Sequence, residues 1–145
     1  MGLVKSDFIV AAPIDRVFAF IAHPPNFSRM WPAMVRVFDI TPSPQGGDNW
    51  RWTYRMLGMR LEGDTEVLEY DPPRLIAMQS AGGGMGVSHV WSLEPVGLRT
   101  RLTLAMEFLL PIQWLSGVAG PLLERENRQQ VAIAMGNLRR ALEGR

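Results

Sequence analysis

The spacing of apolar and polar residues changes period several times along this chain, and each change predicts an element. Residues 3–11, LVKSDFIVA, alternate loosely and carry β-formers, which predicts a first strand. Ala12-Pro13 breaks it, and Pro13 suits the first turn of a helix. Over 14–22, Ile14, Val17, Phe18 and Ile21 fall at helical spacing and predict a short amphipathic helix. His23-Pro24-Pro25 ends that helix, because a residue before proline avoids the α region. Asn26-Phe27-Ser28 then caps a second short helical turn that runs to Trp31-Pro32.

From there the period is two. Strands are predicted over 34–41, 50–57, 60–70, 74–81, 87–93 and 99–109, with turn formers between them. Trp50, Trp52, Tyr54 and Met56 share one face of their strand, and Arg51, Thr53, Arg55 and Leu57 the other. Gly63 is the candidate for a bulge. Val87, His89, Trp91 and Leu93 share a face, as do Leu102, Leu104, Met106 and Phe108. Residues 112–143 predict a helix with a candidate break at Gly120-Pro121. Val131, Ala134, Met135, Leu138, Ala141 and Leu142 form its apolar stripe, and Gly144 fits a C-terminal stop.

Six strands in succession, joined by short turns, predict an antiparallel meander, and one long amphipathic helix then covers one sheet face. The class is α+β. A length of 145 residues suits one domain over 1–145.

Composition narrows the function. Hydrophobic residues make up 47% and charged residues 20%, so a core can be buried. The net charge is +1 and the basic residues are scattered, which points away from nucleic acid. With no cysteine, disulfides, thiolate catalysis and Cys-based metal sites are excluded, and a reducing cytoplasm is the expected compartment. No charged region followed by an apolar one opens the chain, and the 108–123 stretch is too short and too broken to span a bilayer. Nine methionines and five tryptophans supply adaptable filler and large apolar walls.

Four strings, in order, carry a resemblance: APIDRVFAFIAHPPNFSRMWP, EVLEYDPPRLIAM, HVWSLEPVGLRTRLTL and NLRRALEGR. Together they resemble the START-like superfamily, which includes polyketide cyclase/dehydrase-like and lipid-transfer proteins. The resemblance implies the helix-grip fold, a curved antiparallel sheet of about seven strands wrapped around a long C-terminal helix, with two short helices after the first strand. It also implies a cavity between sheet and helix for a hydrophobic small molecule, with no catalytic set common to the superfamily.

Candidate chemistry is sparse. His23 reads as a surface or capping residue. His89 reads as a satisfied core histidine, a ligand contact or, least of all, an acid/base. Two histidines so far apart give no metal site, and no cofactor is expected. Glu62, Asp64 and Glu66 share a face that reads as solvated. No G-x-S-x-G elbow is present, and GGGMG at 82–86 matches no phosphate loop. An apolar pocket with a few polar handles is the pattern of small-ligand sites. Trp52, Tyr54, Gln79, His89, Trp91, Met106 and Met135 are the candidate ligand contacts. Glu126, Asn127 and Gln130 interrupt the helix stripe and fit either a cavity or exposure. Trp114, Leu115, Val118, Leu122 and Leu123 form an apolar patch suited to gating an entrance or docking a partner.

Three functions follow: a carrier or sensor for a lipid, polyketide, isoprenoid or aromatic compound; a cyclase or dehydratase using His89; and an interaction module. Stable membrane insertion is not expected, and a homodimer stays open.

Overall fold

The computed structural model describes residues 2–56, 58–109 and 119–143. Strand β1 (Gly2–Val10) leads to helices α1 (Ile14–Ile21) and α2 (Asn26–Met30). The meander β2 (Met34–Pro42), β3 (Asp48–Met56), β4 (Met59–Asp71), β5 (Leu75–Gly82), β6 (Met85–Val96) and β7 (Arg99–Leu109) follows, and α3 (Ala119–Leu142) ends the described chain. All seven strands join one antiparallel curved sheet in the order β1-β7-β6-β5-β4-β3-β2. Each strand of the meander pairs with its successor, and β7 closes back on β1. The two short helices therefore separate the two edge strands in sequence. Among the described residues, no helix is long and apolar enough to cross a membrane.

Alternation decides which side chains meet the helices. Trp50 and Trp52 of β3, Val67 of β4, Met78 of β5, Trp91 and Leu93 of β6, and Leu102 and Leu104 of β7 are buried on one face. Helix α1 lays Val17, Phe18 and Ile21 against that face, and α3 adds Val131, Ala134, Met135, Leu138 and Leu142. The C-terminal half of α3 is tied down by polar contacts as well. Asn137 Nδ2 donates to the Met30 carbonyl at 2.9 Å, Arg16 donates to the Leu142 carbonyl at 3.1 Å, and the Ala11 N–H donates to Glu143 at 2.9 Å. The outer face of β4 carries Glu62, Asp64 and Glu66 in solvent, with Arg51 donating to Asp64 at 2.9 Å.

One expectation needs correcting. The pairing of β3 with β4 runs without a shift through Gly63; the bulge lies in the β4–β5 pairing, between Val67 and Glu69. It makes Leu68 the extra residue and lets Tyr70 also turn inward, onto Phe18 at 5.6 Å. Gly63 has a different task. A Cβ there would collide with the Ala81 carbonyl oxygen and the Trp52 ring, so its absence lets the indole lie across β4. Gly120 and Pro121 are helical within α3, and the residues before Ala119, on which the expected break turns, lie outside the described residues.

Gly83 and Gly84, with φ of 62° and 80°, make a two-residue turn, so β6 begins at Met85, earlier than its apolar alternation indicates. Edge strand β2 is irregular. Its register shifts between Met34 and Arg36 and between Phe38 and Thr41, and Asp39 adopts a left-handed φ of 52°. The stretch 112–118, most of the apolar patch of residues 114–123, and Gly144 lie outside the described residues.

Candidate functional site

The concave face has a filled end and a partly open one. At the filled end, Phe27 of α2 stacks on Trp31 at 5.8 Å between ring centroids and meets Trp50 at 4.9 Å, Trp91 at 6.1 Å and His89 at 6.2 Å. Trp91 also meets Trp31 edge-on at 5.9 Å. These rings pack the space beneath α2, and Trp91 is wholly buried.

A chain of hydrogen bonds leaves this cluster. Trp91 Nε1 donates to His89 Nδ1 at 3.2 Å, His89 Nε2 lies 3.2 Å from Ser80 Oγ, and Ser80 Oγ lies 2.6 Å from Thr65 Oγ1. An indole N–H only donates, so Nδ1 must be the acceptor and the neutral ring carries its proton on Nε2. His89 therefore donates to Ser80. Burial holds the imidazole neutral, with its pKa lowered to about 4. Both ring nitrogens are engaged, and the tautomer is the wrong one for drawing a proton from the serine.

At the other end the inward residues are only partly buried: Tyr54 on β3, Leu61 on β4, Ser80 on β5, Val87 on β6 and Phe108 on β7. The pairs Tyr54–Leu61, Ser80–Val87 and Val87–Phe108 put them at one end of the sheet. Helix α3 comes to this end at Glu126, whose charge reaches the Tyr54 phenol. Burial, and then the charge of Glu126, push the Tyr54 phenol up to about 12, so it stays a protonated donor. Asn127 and Gln130 continue the buried stripe of Val131 and Ala134 but are polar. Trp52 Nε1, Asn127 Nδ2 and Gln130 Oε1 are buried, with no hydrogen-bond partner among the described residues. Such atoms cost free energy until something pairs them.

A groove of about 650 Å³ between β1 and α3 reaches the same helix from the side. Val4, Phe8, Val131 and Met135 wall it, and Lys5, Arg128 and Arg139 stand at its rim.

The sequence-derived candidates thus divide. Trp52 and Tyr54 border the partly open end, with ring centroids 6.4 Å apart. Met106 is buried between His89 and Val4 across the sheet, and Met135 is buried beside the groove. His89 and Trp91 lie in the packed cluster. Gln79 is exposed on the opposite face, paired with Ser88 and Glu66. Two residues absent from that set, Ser80 and Thr65, share the inward face. Ser80 has the parity of Ile76 and Met78, but Leu75 and Ala77 of the other parity are apolar too, so spacing alone does not single it out. Among the described residues, no three His, Asp or Glu side chains cluster to hold a metal.

Residues 1–143 match the protein family described as polyketide cyclase/dehydrase and lipid transport. No curated protein matches the sequence. Among solved structures, a START superfamily protein from Mycobacterium smegmatis is similar, at 16% identity and a TM-score of 0.78, over 98% of this chain and 97% of that one. A protein from Thermus thermophilus is 19% identical, with a TM-score of 0.75 over 99% and 98% of the two chains. The Zhui aromatase/cyclase from Streptomyces sp. R1128 is 20% identical, with a TM-score of 0.74 over 96% and 94%. At these identities the likeness is one of fold.

Proposed function

Because the chain belongs to the polyketide cyclase/dehydrase and lipid transport family, we propose that it is a carrier or sensor holding a hydrophobic small molecule between the sheet and α3. The ligand is a lipid, polyketide, isoprenoid or aromatic compound, and the whole chain acts as one ligand-binding domain in the cytoplasm. The observation that carries this reading is the partly open end of the concave face. Apolar side chains line it, and Trp52, Asn127 and Gln130 bring buried, unpaired polar atoms to it from two elements. That combination is what binds and orients an apolar molecule with a few heteroatoms. The groove between β1 and α3 serves as the route in.

Binding is favoured over catalysis by the state of His89. General acid/base work needs a free nitrogen near the substrate and a pKa near the working pH. His89 has neither, since Trp91 and Ser80 occupy its nitrogens and burial lowers its pKa to about 4.

Native mass spectrometry of freshly purified protein tests the reading, alongside titration with 2-acetylnaphthalene followed by tryptophan fluorescence. The expected result is a co-purifying small molecule released on denaturation, or saturable binding of the probe. Finding neither would reject the carrier or sensor reading.

A further inference from the structure

Resting on that reading, we propose that Ser80 is the specificity-determining donor of the site, and that the ligand offers it a hydrogen-bond acceptor, a carbonyl-class oxygen. The chain Trp91–His89–Ser80–Thr65 holds four donor hydrogens: one on the indole, one on the neutral imidazole and one on each hydroxyl. Three hydrogen bonds join its four members, at 3.2, 3.2 and 2.6 Å. One donor is left over, and the direction of the first two bonds is set by the indole, which can only donate.

The leftover proton belongs to Ser80 or to Thr65. If Ser80 donated to Thr65, the threonine proton would need an acceptor, and none lies within reach among the described residues. Thr65 is 1% exposed, so that proton would be stranded away from water. A buried donor left without an acceptor is costly, because it has given up water for nothing. If Thr65 donates to Ser80 instead, every buried donor is spent inside the chain. Ser80 Oγ then accepts from both His89 and Thr65, and its own O–H points to its open side. Ser80 is the one partly open member of the four; Trp91, His89 and Thr65 are buried. It faces inward beside Val87, at the end where Tyr54, Leu61 and Phe108 are also partly open.

A hydroxyl that accepts two hydrogen bonds is polarised and donates more strongly. It has no lone pair left for a ligand donor. The site therefore selects for an acceptor at this position and against a hydroxyl or amine donor.

Two probes of the same shape test this: 2-acetylnaphthalene, which carries a carbonyl, and 2-isopropenylnaphthalene, which replaces that oxygen by a methylene. The wild type should bind the ketone roughly 5- to 100-fold more tightly, the range set by one hydrogen bond lost or kept. Ser80→Ala should bring the ketone to the affinity of the alkene and leave the alkene where it was. The infrared carbonyl stretch of bound 2-acetylnaphthalene should move to lower frequency in the wild type and return in Ser80→Ala. Thr65→Val should keep the preference for the ketone. Equal affinities for both probes in the wild type, or an unchanged preference in Ser80→Ala, would overturn the donor assignment while leaving the cavity reading standing. A stronger ketone preference in Thr65→Val would also overturn it, since that variant frees Ser80 only if Ser80 had been donating to Thr65. Failure of both probes to bind the wild type would overturn this assignment, and the absence of a co-purifying small molecule as well would remove the cavity reading with it.

Discussion

His89 links the stability of the protein to pH. Its pKa is about 4 in the folded protein against 6.5 for the free side chain. As pH falls from 6.5 towards 4, the unfolded chain takes up a proton that the folded chain refuses, so stability falls through that window and levels off below it. The full excursion is worth about 3 kcal/mol. His89→Leu should remove this slope. It should also cost about 1–3 kcal/mol at pH 7, because Trp91 Nε1 and Ser80 lose their partner. Urea denaturation of both proteins at pH 7 and pH 4.5 measures both effects; an unchanged slope in the variant would place the titration elsewhere. At this scale the sequence was partly legible. Alternation put His89 and Trp91 on one face of their strand, and Trp52 and Tyr54 on one face of theirs. It failed for Gln79, because the run Leu75–Met78 is apolar on both faces and Ala77 is buried as well as Met78. With no alternation to read, Gln79 and its neighbour Ser80 were equally eligible. Nor could spacing show that both nitrogens of His89 would be consumed by Trp91 and Ser80, since that depends on the β5–β6 register.

The element that holds the architecture together is α3, and its stripe is where helical period and burial agree best. Val131, Ala134, Met135, Leu138 and Leu142 were all readable from spacing, and all are buried. Leu138 is fully enclosed. Leu138→Ala should therefore cost about 2–5 kcal/mol, the lost transfer energy plus the cavity left behind. Chemical denaturation gives the value, and wild-type stability in that variant would mean that the helix does not seat there. The strand count and the meander order of β2 to β7 were readable too, from turn formers, whereas the closure of β7 on β1 was not. Details that depend on backbone pairing were not. A glycine inside a strand marks either a bulge or a close approach, and only the Trp52 ring above Gly63 shows that here it is the second. A Gly-Pro pair likewise breaks a helix interior but fits its first turn, so the meaning of Gly120-Pro121 turns on where α3 starts.

For the whole molecule, occupancy should appear as stability. A ligand that binds only the folded state at a free concentration one hundred times its Kd adds about 2.7 kcal/mol, which raises the Tm of a domain this size by roughly 5–10 °C. Scanning calorimetry with 2-acetylnaphthalene should show that rise. Zinc and NAD should leave Tm unmoved, and a clear rise with either would overturn the account of the site. A sheet that ends in two edges also carries a hazard unrelated to its ligand, since an open edge can recruit the edge of another molecule. At the β2 edge, two register shifts and the left-handed backbone at Asp39 break the row of amide and carbonyl groups, and Pro42 removes a further N–H. A partner strand would find no regular ladder to extend there. The irregularity of β2 thus guards against chain-to-chain sheet growth, so that this edge can stay uncovered in a crowded solution without seeding aggregates.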